Sequence, residues 1–176
     1  MILTTQLHIT QCAELMPKVA PVNNQGHIPV KPLFGLWTCT YAKGGSAWVD
    51  ASKDMRLCNP YELNWFLLDP DPQARVLVIN TLADLKELLA EFARPTDPRI
   101  PDWMASELQR PDFERMSERW DAMHLTEVGQ HHTRLTAPNL YGWDAESTLW
   151  FRWCFTDCRR ITPPPAPPPD PDEDAE

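Results

Sequence analysis

Short apolar runs of strand length alternate along this chain with a few helical patterns, in no regular strand–helix–strand order. That irregular mixture restricts the fold most, because it favours an α+β arrangement over a doubly wound sheet. Strands are predicted at residues 3–9, 33–40, 62–68, 75–79, 120–125 and 147–155. In the last of these, Leu149, Phe151, Trp153 and Phe155 fall on one face. Helices are predicted at 11–19, closed by Pro21, at 46–53 with Ser46 as N-cap, at 102–109 and at 112–119. The clearest helix opens at Thr81. Leu82, Leu85, Leu88, Leu89 and Phe92 recur there at helical spacing, and Thr81 with Asp84 resembles a capping box. Loops are expected at 21–32, at the DPDP turn of 69–72 and at 95–101.

The 176 residues suit one domain over 1–162, followed by a Pro-, Asp- and Glu-rich tail over 163–176. That tail, PPPAPPPDPDEDAE, favours an extended, self-repelling and disordered chain. It reads as a solubilising appendage or as a ligand for a partner. The formal net charge is −9, of which Asp170, Asp172, Glu173, Asp174 and Glu176 supply five, leaving −4 on residues 1–169. No block of Lys or Arg is present to grip a phosphate backbone, which argues against tight duplex binding and leaves transient nucleic-acid contact open. Five Cys without a CxxC pair suggest neither a disulfide framework nor a zinc site. No signal peptide or membrane-spanning run is visible, so the expectation is a cytoplasmic protein without membrane contact.

Three segments place polar groups at predicted strand edges: Leu7-His8-Ile9-Thr10, the stretch GLWTCTYAKGGSAW from Gly35 to Trp48, and Tyr141-Gly142-Trp143-Asp144-Ala145-Glu146-Ser147-Thr148. In this order they resemble the ADP-ribosyltransferases of the His-Tyr-Glu branch. His8 and Thr10 match the first-strand histidine pattern. Gly35-Leu36-Trp37 followed by Ser46-Ala47-Trp48 is similar to the second strand and following helix, 13 positions apart from Gly35 to Trp48. Glu146 matches the late-strand glutamate. LHIT also looks like the first strand of toxins that modify thymidine in single-stranded DNA. Trp48 stands where the branch usually has Tyr, and Ile9 replaces a common Gly. Thr38-Cys39-Thr40 and Asp144-Ala145-Glu146 are similar to motifs of the Arg-Ser-Glu branch, which would want an Arg that residues 1–10 lack.

The resemblance implies an α+β fold with a split mixed or antiparallel sheet core and flanking helices. It implies NAD⁺ as substrate, no metal, and transfer of ADP-ribose to a macromolecule, either a protein or a single-stranded nucleic acid. Glu146 would be catalytic; His8, Thr10 and Trp48 would hold the dinucleotide, with Thr38 and Tyr41 as further binding candidates. The chemistry suits these residue types. Expelling nicotinamide leaves positive charge on the sugar, which a carboxylate stabilises as it develops. A neutral imidazole holds a ribose hydroxyl, and an aromatic plate stacks on the leaving ring.

Each assignment has a plainer counterpart. His8 and Trp48 could be core residues, Thr10 an ordinary strand residue, Glu146 an exposed charge and Asp144 a turn residue. Two alternatives to transfer stand beside it: NAD⁺ hydrolysis, and a non-catalytic Trp-rich binding protein on the same fold. His124, His131 and His132 with Cys154 and Cys158 fit no familiar zinc spacing. The segment 120–124 reads as a buried strand, and 127–134 as an acceptor-facing loop.

Overall fold

The computed structural model describes residues 2–26, 30–42, 45–55, 58–95, 98–99, 101, 104 and 108–166. Most of the helix predicted at 102–109, and the tail beyond 166, lie outside the described residues. In chain order the elements are β1 (Gln6–Thr10), β2 (Leu36–Thr40), α1 (Ala47–Asp54), a 3-10 turn (Pro60–Glu62), β3 (Asn64–Pro70), β4 (Val76–Ile79), α2 (Leu82–Phe92), α3 (Phe113–Arg119), β5 (Ala122–Leu125), α4 (Glu127–Thr133), β6 (Ser147–Trp150) and β7 (Phe155–Ile161). The strands form a seven-stranded sheet in the order β4-β5-β6-β2-β1-β3-β7. β4 and β5 run parallel, joined through α2 and α3, while the other neighbours are antiparallel. The molecule is thus α+β with a mixed sheet.

Two short links force this sheet to curl. Residues 71–75 join β3 to β4, which lie five strand spacings apart in the sheet order. A flat sheet would put them about 24 Å apart, whereas the six backbone steps from Pro70 to Val76 reach at most about 21 Å. Residues 151–154 likewise carry the chain from β6 past three strands to β7. The curl brings the rings of Trp150 and Phe155 to 4.4 Å between centroids. Leu36, Leu68, Ala122 and Trp150 are buried together there, with Val76 and Phe155 packed against them.

A second core joins Ile79, Met123, Leu125 and Leu149 to Leu85 and Leu89 of α2 and Met116 of α3. A third gathers Leu7, Cys39, Trp65 and Leu67 with Val49 of α1. The cores under α1 and under α2 and α3 thus share β2, through Cys39 in one and the half-buried Trp37 in the other.

Local chemistry explains most element boundaries. At α2 the Thr81 hydroxyl accepts from Asp84 N while the Asp84 carboxylate accepts from Thr81 N, a complete capping box. Ser46 caps α1 through Val49 N, and Asp112 caps α3 through Arg115 N. β2 starts at Leu36 rather than 33, because Phe34 and Gly35 both hold left-handed backbone (φ 63° and 76°). A Cβ at Gly35 would lie 2.5 Å from Leu149 Cδ1.

Three expectations are corrected. Residues 11–19 form no helix. Pro17 removes a donor from its interior, and the Thr10 hydroxyl turns the chain at once by accepting from Cys12 N. The predicted strand at 147–155 divides after Trp150. Phe151 N donates to Asp121 O and Asp71 N to Cys154 O, so the chain leaves one ladder and enters another. Leu149 and Phe151 therefore serve one core, and Phe155 another. The segment 127–134 is helical at Glu127–Thr133, capped by the Thr126 hydroxyl. Gly129 masks it in the sequence, but a Cβ there would meet Ile79 O at 2.2 Å. Among the described residues no helix is long and apolar enough to cross a membrane.

Candidate functional site

A cleft of about 320 Å³ opens where β1 and β2 part. Their register pairs are Gln6 with Thr40 and Leu7 with Cys39. Beyond Leu7 the His8 ring takes the place of the ladder, with Nδ1 2.8 Å from the Trp37 carbonyl. A carbonyl only accepts, so Nδ1 carries the proton and Nε2 is left as an acceptor. Burial lowers the His8 pKa, outweighing the opposite effect of the carbonyl bond, which keeps the ring neutral at pH 7.

One wall of the cleft is α1. Trp48, Ala51, Ser52 and Met55 recur at i, i+3, i+4 and i+7 and all line it. Trp48 and Met55 remain 37% and 39% exposed, so these two apolar side chains face the opening, while Ser52 between them is buried. The facing wall is built on Trp37, which meets Trp143 edge-on at 4.7 Å between centroids. Trp143 is fixed by its Nε1 donating to Val30 O at 2.8 Å. Gly142, at φ 99°, makes the turn into it. Lys31 Nζ sits 5.6 Å from the Trp37 ring centroid and 3.8 Å from Asp144, whose other oxygen lies 3.8 Å from Arg134. Two cations thus share one carboxylate beside the aromatic wall. Burial lowers the Lys31 pKa while Asp144 pulls it upward.

Of the residues singled out in the sequence, His8, Trp48 and Thr38 border this cleft. Thr38 does so with its hydroxyl turned away, donating to Gln6 Oε1 and accepting from Trp150 Nε1. Thr10 and Tyr41 are not among the lining residues. The Thr10 hydroxyl serves the turn at Cys12, and Tyr41 packs on the core beneath α1. Glu146 is not a lining residue either, although Asp144, Ala145 and Ser147 around it are. It is 8% exposed and accepts from Thr40 N at 2.9 Å and from the Thr40 hydroxyl at 3.0 Å. Burial raises its pKa, against the lowering effect of those bonds. Its charge is felt by Cys39, which does line the cleft and whose thiol is pushed up to about 12, mainly by burial. The carboxyl therefore lies outside the lining, bonded to Thr40 and next in the chain to the lining residues Ala145 and Ser147.

Sequence reasoning missed the roles of Trp37, Trp143 and Lys31. The α1 stripe was missed as well, although the spacing of Trp48, Ala51, Ser52 and Met55 carries it, whereas nothing local to Lys31 announces that it reaches Trp37. Among the described residues, no group of three or more His, Cys, Asp or Glu side chains is placed to hold a metal.

What fold and site define together is a mixed-sheet α+β protein with an aromatic-walled cleft at a parted strand pair. Comparison with known proteins found no matching family model, no curated relative and no solved structure that matches.

Proposed function

We propose that this chain binds NAD⁺ in the cleft and transfers its ADP-ribose to a macromolecular acceptor, a protein or a single-stranded nucleic acid, releasing nicotinamide. The observation that carries this reading is the gathering of His8, Trp37 and Trp48 around one cleft, with Glu146 next in the chain to its lining residues Ala145 and Ser147. The parted β1 and β2 also suit the split sheet that the resemblance to ADP-ribosyltransferases implies. In this scheme nicotinamide stacks against indole, and His8 Nε2 accepts from a ribose hydroxyl. As the ribose–nicotinamide bond breaks, its electron pair leaves with the neutral ring, and the sugar becomes cationic. Glu146, outside the lining, stabilises that cation through its charge. The acceptor then forms the new bond to the anomeric carbon and gives up its proton to solvent.

The test is incubation with labelled NAD⁺ and measurement of nicotinamide release. Label on protein or nucleic acid means transfer, and free ADP-ribose alone means hydrolysis. Glu146→Gln, with folding checked by circular dichroism, is expected to lower release by about 10²–10³-fold. Native protein that neither binds nor consumes NAD⁺ removes the proposal.

One observation favours a second reading. Glu146 is held by Thr40 and does not line the cleft. This suits a non-catalytic protein that uses the same aromatic walls to hold a planar ligand. It expects ring binding without nicotinamide release, and a Glu146→Gln protein that binds as well as wild type.

A further inference from the structure

Strand β5 is buried along its whole length, yet its third residue is His124, only 3% exposed. An apolar side chain there would avoid desolvating two ring nitrogens. The ladder explains what the ring meets: His124 pairs directly with Thr148 of β6, and Glu146 lies two residues earlier in the chain. Its Nδ1 is accordingly 2.8 Å from Thr148 Oγ1 and 3.5 Å from Glu146 Oε1.

We propose that His124, steadied by Thr148, is a positioning residue that fixes the Glu146 carboxyl between β2 and β5. A lone pair on Nδ1 would face the lone pairs of the carboxylate, so an ionised Glu146 selects the tautomer with hydrogen on Nδ1. That hydrogen is taken by Thr148 Oγ1 and its dipole also faces Oε1, at a distance too long for a full hydrogen bond. From the other side Thr40 supplies its hydroxyl to Oε1 and its backbone N–H to Oε2. The carboxyl is therefore gripped from two strands, with donors on both of its oxygens. Two further titratable groups act in this neighbourhood. Glu127, at the start of α4, disfavours ionisation of Glu146, and the Cys39 thiol of β2 is kept protonated by burial and by Glu146 itself.

The catalytic meaning of this grip rests on the reading of Glu146 given above, but the grip can be measured without turnover. The experiment follows the Glu146 side-chain carboxyl by ¹³C NMR across pH in wild type, His124→Leu and His124→Asn, with amide spectra reporting the fold. The Asn amide nitrogen stands near the place of Nδ1 and keeps a donor there. In His124→Leu the Glu146 midpoint is expected to rise, and nicotinamide release to lose up to about 10²-fold in kcat with KM nearly unchanged. His124→Asn restores both. An unchanged Glu146 midpoint in His124→Leu overturns the proposal. Should the leucine variant not fold, His124→Met, which fills the same strand position without a donor, carries the same expectation and the same power to refute. A shifted midpoint in a protein with no NAD⁺ turnover sustains the grip while sinking the proposed transferase.

Discussion

His8 and His124 are both imidazoles removed from water, and their settings give them opposite uses. His8, at the border of the cleft, directs Nδ1 to a backbone carbonyl, whereas His124 spends Nδ1 on Thr148 and Glu146 inside the sheet. Burial drives the His124 pKa down to about 4. An unfolded chain takes up that proton near pH 6.5, so the folded state loses relative stability as pH falls from 6.5 towards 4. The loss attributable to this one ring is about 3 kcal/mol at the lower end. Glu146, with its pKa raised, acts with the opposite sign and returns part of this loss as it protonates. Urea melts at pH 7 and pH 4.5 check the point: His124→Asn loses less stability on acidification than wild type. An equal loss would place the acid sensitivity elsewhere. The sequence presented His124 as one polar letter in an apolar run, which shows burial but not the partner. That partner is set by cross-strand register, and register is a property of two segments at once. Lys31 was hidden because it reaches Trp37 and Asp144 from a loop, a contact that only the folded chain brings about. His8 and Trp48 were easier, because each belongs to a short local pattern.

Elements with an internal logic were the legible ones. α2 carries its own cap and its own apolar stripe, so twelve consecutive letters suffice to place it. The helix over 127–133 was obscured by a glycine whose reason lies in another element: Gly129 lets α4 rest against the carbonyl of Ile79 at the end of β4. Replacing it with alanine puts a methyl group 2.2 Å from that backbone oxygen, which only a shift of the helix relieves. The gain in helix propensity is at most about 1 kcal/mol, while forcing a packed interface apart costs about 1–3 kcal/mol. Gly129→Ala is therefore expected to unfold at lower urea concentration than wild type. A more stable variant would mean that α4 is not tightly seated. The long strand predicted at 147–155 failed in an instructive way. Alternating large apolar residues at 149, 151, 153 and 155 describe a single face, but the two halves serve different cores because the sheet curls between them.

At the scale of the whole molecule, the α+β class followed from the irregular alternation of short elements. The curl did not, since it depends on which strands become neighbours. With that order known, the brevity of the links at 71–75 and 151–154 requires it. Ligand binding offers a global readout. A molecule that occupies the cleft only in the folded state stabilises the entire fold, by about 2.7 kcal/mol at a hundred times its dissociation constant. NAD⁺ is expected to raise the melting temperature of the wild-type protein and to do so far less in Trp48→Ala, as measured by differential scanning fluorimetry. Equal shifts in the two would take the ligand away from the α1 wall.

The ladder between β3 and β7 holds six register pairs, and that between β4 and β5 four, yet β1 and β2 in the middle share two. The fold is thus least stitched at its own centre line. Any guest lodged in the cleft, against both His8 of β1 and Trp37 of β2, spans that seam and becomes a rivet between the two half-sheets. Slow amide exchange along β1 and β2 would then report occupancy from within the backbone itself.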